Sequence, residues 1–371
     1  MNKFLMAALA GSMFAGAHLA IAQDGAKPNW SEKLTLKGDV RARFESIDEE
    51  GKETRNRGRV RARLGAYARV NDEIDAAIAL ASGDADPIST NQTLGEGFSS
   101  KDVRLDLAFI DWHPGALPGS IVLGKMNMPF IAVNDLQWDG DLNPEGAALK
   151  LNVPAGDAIS LVFNGGAFYV VERGSADETM LYGAQAAIVM KDDGLNLTAG
   201  VSYFLYDNLA GFETISSATS GFGNSTDKEM DADGKVVKAM YKYDYEILEL
   251  FAKIGFNVGL PVEIAGNFLQ NQEVDDDDTG YMIGIKLGKL KDPGSFDFGY
   301  SYRELEKDAA LGAFADSDAW GGGTDGKSHK VQLGYQIAKN TSGSITYFMS
   351  EKGLDNGKDY DRLQVDLSVK F

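Results

Sequence analysis

Arginine is the residue through which this chain could do most. Arg41 and Arg43 stand two apart, Arg59, Arg61 and Arg63 repeat the spacing, Arg69 follows in the same phase, and Arg104 comes one hairpin later. Side chains of an extended chain alternate between two faces, and guanidinium does not deprotonate, so this spacing on neighbouring strands makes a column of fixed positive charge. Such a wall would attract or align anions. Asp39, Glu45, Asp75 and Asp106 fall on the same face and offer a plainer role, cross-strand ion pairing of modest stabilising value. The opposite charge gathers in the stretch 127–145, which carries Asp135, Asp139, Asp141 and Glu145 together with Trp138, Pro129 and Pro144. Asp275–Asp278, four acids in a row, reads as a solvated loop, with divalent-cation bridging to lipopolysaccharide as the sharper alternative.

Other chemistry is poorly supplied. Cys is absent, which removes disulfides, thiolate metal sites and thiol nucleophiles, and only His18, His113 and His329 supply imidazole. We expect no catalytic residues, no metal site and no cofactor. Gly321–Ser328 (GGGTDGKS) satisfies the phosphate-loop pattern, but that pattern requires a preceding strand and a following helix. Here acidic Asp316-Ser317-Asp318 precedes it, and His329–Ala338 alternates as a strand. The chain of 371 residues carries 36 basic and 55 acidic side chains, a formal net charge of −19. That balance excludes nucleic acid as a partner, because phosphate binding requires a basic surface.

The elements that must position these groups are strands. Leu34, Leu36, Gly38, Val40, Ala42 and Phe44 alternate with Thr35, Lys37, Asp39, Arg41, Arg43 and Glu45, one apolar face and one charged face. Val60 to Val70 alternate in the same way with Arg59 to Arg69, and Leu363 to Phe371 with Arg362 to Lys370. Thirteen further stretches bring the expectation to about 16 strands. Short polar turns, such as Asn71-Asp72 and Lys191–Gly194, take turns with long polar loops at 47–56, 83–100, 127–145, 172–178, 208–243, 273–278, 305–327 and 352–359.

Residues 1–22 have one basic residue, a short apolar core and a small-x-small end at Ala20-Ile21-Ala22, the pattern of a cleaved export signal. Beyond it the longest run of hydrophobic residues is Ala76–Ala81, six long, far short of the roughly 20 a membrane-spanning helix needs. Dyad strands of about ten residues joined by alternating short and long connections instead predict an all-β fold, a transmembrane antiparallel β-barrel over residues 23–371 in the outer membrane. Short turns would be periplasmic and long loops extracellular. Closure satisfies every backbone N–H and C=O within the bilayer. About 16 strands leave room for an aqueous lumen, which the polar face would line. Phe44, Phe109, Tyr203, Tyr281, Tyr302, Tyr335 and Phe371 are expected near strand ends on the lipid face. The closing strand ending on Phe371 resembles the signal read by the outer-membrane assembly machinery.

Arg59–Asn71 (RVRARLGAYARVN), Ser82–Phe98 (SGDADPISTNQTLGEGF), Gly124–Phe130 (GKMNMPF), Trp138–Gly146 (WDGDLNPEG), Ser317–Lys330 and Arg362–Phe371 together resemble the putative porin family of Gram-negative outer membranes. The resemblance spans essentially the whole chain after the signal. It implies a barrel passing ions and small hydrophilic solutes by passive diffusion, in contact with the lipid bilayer and lipopolysaccharide, and a homotrimer, since general porins often assemble as trimers. By the same resemblance the 127–145 loop, following the fifth strand, would fold into the channel and set carboxylates opposite the Arg column. The rival from another class is a barrel acting as adhesin or enzyme through its long loops. An enzyme would need a nucleophile and base within reach of each other, and neither His113 nor His329 has a convincing partner.

Overall fold

The computed structural model describes residues 33–371, so the export signal expected over 1–22 lies outside the described residues. The strands run β1 (Leu34–Glu49), β2 (Arg55–Arg69), β3 (Ile74–Ser82), β4 (Gln92–Thr93), β5 (Val103–Trp112), β6 (Gly119–Lys125), β7 (Glu145–Pro154), β8 (Ile159–Val171), β9 (Thr179–Asp192) and β10 (Leu195–Asp207). They continue with β11 (Thr226–Met230), β12 (Val236–Tyr241), β13 (Tyr245–Asn257), β14 (Pro261–Asn271), β15 (Thr279–Gly288), β16 (Phe296–Leu305), β17 (Gly326–Ala338), β18 (Thr341–Lys352) and β19 (Lys358–Lys370).

Sixteen of these close a barrel in which every neighbour is antiparallel. β3 pairs with β5, β10 with β13, and β19 returns to β1 over the register Asp39↔Lys370 to Glu49↔Tyr360. The seven connections at one end are two to seven residues long. At the other end, three connections are much longer: 83–102, 208–244 and 306–325, with 126–144 nearly matching them. Asn340, in a two-residue turn, takes a φ of 60°, a conformation that Asn tolerates better than branched residues do.

Two long connections contain strands that their polar composition did not predict, and a third, 306–325, contains two 3-10 turns. β4 pairs with β2 through Arg59↔Thr93 and Val60↔Gln92, beyond the point where β3 ends, and β11–β12 form a hairpin of their own. The register of the barrel wall shifts near strand ends at Tyr169/Val171 and Gln336/Ala338, and once in mid-strand, between β3 and β5. Leu80 pairs with Leu105 but Ala79 with Leu107, so Asp106 is an extra residue in β5. This bulge inverts the facing of the rest of the strand. Val103 and Leu105 are exposed to lipid, then Leu107 is buried inside and Ile110 and Trp112 face out. Phe109, expected on the lipid face, therefore turns inward and packs on the interior cluster.

Elsewhere the alternation holds: Leu36, Val40, Phe44, Leu64, Ile78, Ile283, Leu333 and Val365 are exposed on the outer surface, as a lipid-facing band requires. Near the end with long loops, outward tyrosines aim their hydroxyls at carboxylates. Tyr302 donates to Glu304 at 2.7 Å, Tyr347 to Asp361 at 2.9 Å, and Tyr203 to Glu246. Amphipathic rings of this kind sit at the headgroup level of a bilayer.

The interior is not uniformly wet. On the β8–β14 side the inner face carries Phe168, Phe204, Tyr206, Ile247 and Leu269, and loops 126–144, 208–244 and 306–325 cover it with Phe130, Leu136, Trp138, Leu209, Tyr241 and Leu311, all buried. Phe204 is met edge-on by Phe130 at 5.0 Å and by Trp138 at 5.2 Å, the favoured geometry for aromatic pairs.

Candidate functional site

The inner face of β1, β2 and β19 is a sheet of charge. The register sets Asp39 opposite Arg63, Arg41 opposite Arg61, Arg43 opposite Arg59 and Glu45 opposite Arg57, while β19 brings Asp366 opposite Arg43 and Gln364 opposite Glu45. Asp39 accepts from Arg61 Nε at 3.0 Å and from Arg63 Nε at 2.7 Å. Arg43 grips Asp366 with two parallel bonds of 2.7 and 2.8 Å, the bidentate form that a guanidinium fork favours. Glu45, fully buried, accepts from Arg57 and from Arg362, whose Nε lies 2.7 Å away.

Not every arginine is matched. Arg41 donates to Asn91 Oδ1 at 2.7 Å and reaches Asp366 only at 3.9 Å, and Arg59 donates to Ser89 Oγ at 3.2 Å. The Nε atoms of both are enclosed without a partner. The two remaining arginines of the series lie apart from the column. Arg69 is largely exposed at the short-turn end, 3.9 Å from Asp72, and Arg104 is half-exposed at the opposite end of β5, 3.7 Å from Asp102. Asp75 and Asp106 pair with other groups than arginine: Asp75 is 3.5 Å from His113, and Asp106 accepts from Asn143 at 2.9 Å.

Segment 126–144 makes contacts on opposite sides of the lumen. Ile131 exchanges hydrogen bonds with the Gln185 side chain of β9, and Asn134 donates to Asn267 of β14 at 2.7 Å. Asp135 meets Arg303 of β16 at 2.5 Å and Lys330 of β17 at 3.4 Å. Asp141 returns to the Arg column, 3.4 Å from Arg63 and 4.0 Å from Arg61, and also accepts from Thr90 at 2.9 Å. Glu145 pairs with Lys125 at the base of the segment, 2.8 Å away. Of the four loop acids, only Asp141 meets the column.

Asp139 joins loops to each other. Its carboxylate accepts the backbone N–H of Ser317 at 3.0 Å and of Asp141 at 2.8 Å. Burial, and then the nearby charge of Asp316, push its carboxyl up to about 8 against the pull of those two donors. Asp135 and Asp318 go the other way. Burial alone would raise them, but Arg303 and Lys330 hold Asp135 well below the usual carboxylate range, and Arg362 and Arg43 do the same for Asp318.

Arg57, Arg303, Asp316, Asp318, Arg362 and Asp366 complete these networks although their spacing did not single them out. Arg57 lies two residues before Arg59 in the same phase, and Arg362 and Asp366 lie on the polar face of the closing strand, so the alternation alone contains the signal for these three. The glycine motif forms no phosphate loop: β17 follows it, Lys327 pairs with Glu351 at 3.0 Å, and Gly321–Gly323 line a cavity. Among the described residues no cluster of three or more potential metal-binding side chains occurs.

Three cavities touch the charged wall, and a fourth beside β3 and β5 adjoins them. The outermost, about 980 Å³, touches Arg57, Arg59, Arg104 and Arg362. A second of about 440 Å³ shares Asp84, Asp86, Ser89 and Arg104 with it. The third, about 410 Å³, shares Asp106 with the second, and the last, about 450 Å³, shares Tyr67 with the third and opens beside Arg69. The Arg63–Asp141 pair and the Asn143–Asp106 bond stand between the second and the third.

Solved structures with this architecture are outer-membrane proteins. OmpF of Salmonella typhi, in complex with daunomycin, aligns over 91% of this chain and 97% of its own with a TM-score of 0.54 at 14% identity. A loop-deletion form of OmpT, an outer membrane protein of Vibrio cholerae, aligns over 91% and 100% with 0.53 at 12%. The outer membrane channel DcaP of Acinetobacter baumannii aligns over 91% and 97% with 0.53 at 13%. At such identities the likeness establishes the fold. No curated protein matches the chain by sequence. The putative porin family matches over residues 48–244 and 235–371, nearly all of the described chain. With its closed 16-strand outer-membrane barrel, the chain belongs to the putative porin family.

Proposed function

We infer that the protein is a passive pore for ions and small hydrophilic solutes, with its selectivity set by the arginine wall of β1, β2 and β19 and by the acidic segment 126–144. The observation that carries this reading is the run of four adjoining cavities from the long-loop end to the short-turn end, three of them lined by that wall and one by β3, β5 and the loops beside it. A fixed, incompletely neutralised positive wall favours anions along its length. Asp141 is the acid that tempers this at the narrow step, since it holds Arg63 and Arg61 from across the path. The other three acids contribute by fastening the segment.

The reading extends to an export signal at 1–22, to assembly through the closing strand, to contact with lipopolysaccharide at the outer rim and to a homotrimer in the membrane. Folded protein in planar bilayers should produce stepwise ion current, and its absence would refute the pore. Replacing Arg59, Arg61 and Arg63 together with Ala should move the reversal potential in a salt gradient towards cation preference. An unmoved potential removes the wall from selectivity.

A further inference from the structure

We propose that the outermost cavity is a binding site for an amphipathic organic monocarboxylate, centred on Arg59. The proposal rests on the pore reading for access from outside and adds a ligand class to one part of that path. At about 980 Å³ the cavity is of a size that encloses small molecules. β2 supplies Arg55, Arg57 and Arg59 to it, and β5 supplies Arg104. Their states differ. Arg57 is held by Glu45, and Arg104 lies near Asp102. Arg59 has the single bond to Ser89, an enclosed Nε without a partner, and no carboxylate within 4.0 Å among the described residues. A guanidinium taken out of water without a counter-charge is costly, and its planar fork matches a carboxylate in two parallel bonds.

The rest of the lining selects the body of the ligand. Gly321, Gly322 and Gly323 bring bare backbone to the cavity, at φ of 87°, 96° and 85°, and Ile47, Phe222 and Tyr360 add apolar surface. Glu49, Glu53, Asp84 and Asp86 share the lining and disfavour a polyanion. One carboxylate on an apolar or aromatic frame fits all three walls.

Benzoate is the probe, with uncharged benzamide as its isostere. Folded protein in detergent should bind benzoate by titration calorimetry, and benzamide at least about tenfold more weakly. Arg59→Ala should weaken benzoate at least about tenfold, with Arg59→Lys in between because it keeps charge without the fork. If Arg59→Ala fails to fold, Arg59→Gln reads the same loss. The same benzoate, added on the long-loop side in a bilayer, should interrupt the current. Equal affinity in Arg59→Ala and wild type, equal affinity for benzamide, or no benzoate binding would each overturn the site. Calorimetric binding without any ion current would support the site and refute the pore, so the two readings fail separately.

Discussion

The two sides of the barrel interior are filled by different physics. Along β1, β2 and β19 the inner face is ionic and adjoins cavities, with Arg41 and Arg59 only partly matched. On the β8–β14 side aromatic and aliphatic residues surround a mostly neutral polar network of Gln185, Ser202, Glu249 and Asn267, and three loops seal this face as the core of a soluble protein would be sealed. The same strand alternation produces both. Ser202, Phe204 and Tyr206 are as regularly inward on β10 as Arg59, Arg61 and Arg63 are on β2. What differs is whether a loop is packed on them. A 16-strand circumference is too wide for wall side chains to fill, so the loops decide where the water runs.

That contrast can be broken most directly at Phe204. Phe204→Ala removes the ring between Phe130 and Trp138 and should lower stability by about 4 kcal/mol, read as the thermal unfolding midpoint in detergent. A change as small as that of an exposed outer residue would mean that the apolar side is not a packed core. Next is Arg303, enclosed between Asp316 at 2.7 Å and Asp135. Arg303→Ala should cost about 3 kcal/mol, chiefly because Asp316 is left buried without its cation. The 306–325 loop, which Asp316 ties to β16, should also become open to limited proteolysis, and a resistant loop would show that the packing holds without the charge.

The third effect is smaller and depends on pH. Asp139 titrates near 8 in the folded chain and near 4 when unfolded, so the protonated form is favoured by folding. Its contribution is complete below about pH 4 and is lost as pH rises through about 8. Between pH 7 and 9 stability should fall by about 1 kcal/mol, and Asp139→Asn should flatten that fall. A profile identical in the variant would assign the dependence elsewhere. Least in stability, but sharpest for the wet side, is Asp141→Asn. Freeing Arg61 and Arg63 from it should increase anion preference in bilayers, and a shift towards cations would reverse the role assigned to it.

Much of the barrel is legible in the amino-acid order. The alternation locates the sixteen wall strands to within a few residues, because one face must meet lipid and a register slip would expose the charged face. The bulge at Asp106 is not legible in it: Val103, Leu105, Leu107 and Phe109 alternate without a break, and only pairing with β3 reveals that the phase inverts. The arginine wall is readable on β1 and β2, which are neighbours in sequence. Its partners Arg362 and Asp366 lie on β19, and Asp318 and Asp141 on distant loops, where alternation carries no information about distance. The dry side is hidden for a related reason. Phe204, Leu311 and Trp138 have ordinary local surroundings, and their burial comes from loops of 19 to 37 residues folding into the barrel.

The seam between β1 and β19 has a consequence for the order of events in assembly. Arg43 and Asp366 are 323 residues apart in the chain, and Arg362 and Glu45 are 317 apart. No other pair of neighbouring wall strands closes so long a loop, so the entropy of bringing these ends together makes the seam the slowest pairing to nucleate. Until it forms, two long strand edges stand open, each a template for a neighbouring chain. The carboxylates and guanidiniums on those edges are attracted to each other at distances where hydrogen bonds have not yet begun. Buried ion pairs that contribute little to the finished barrel would then serve as a registration mark during closure. A slide of two residues that brings Asp366 opposite Glu45 also brings Lys370 opposite Arg41, like charge against like at both places, and such a misfit turns the edges apart before the ladder can zip.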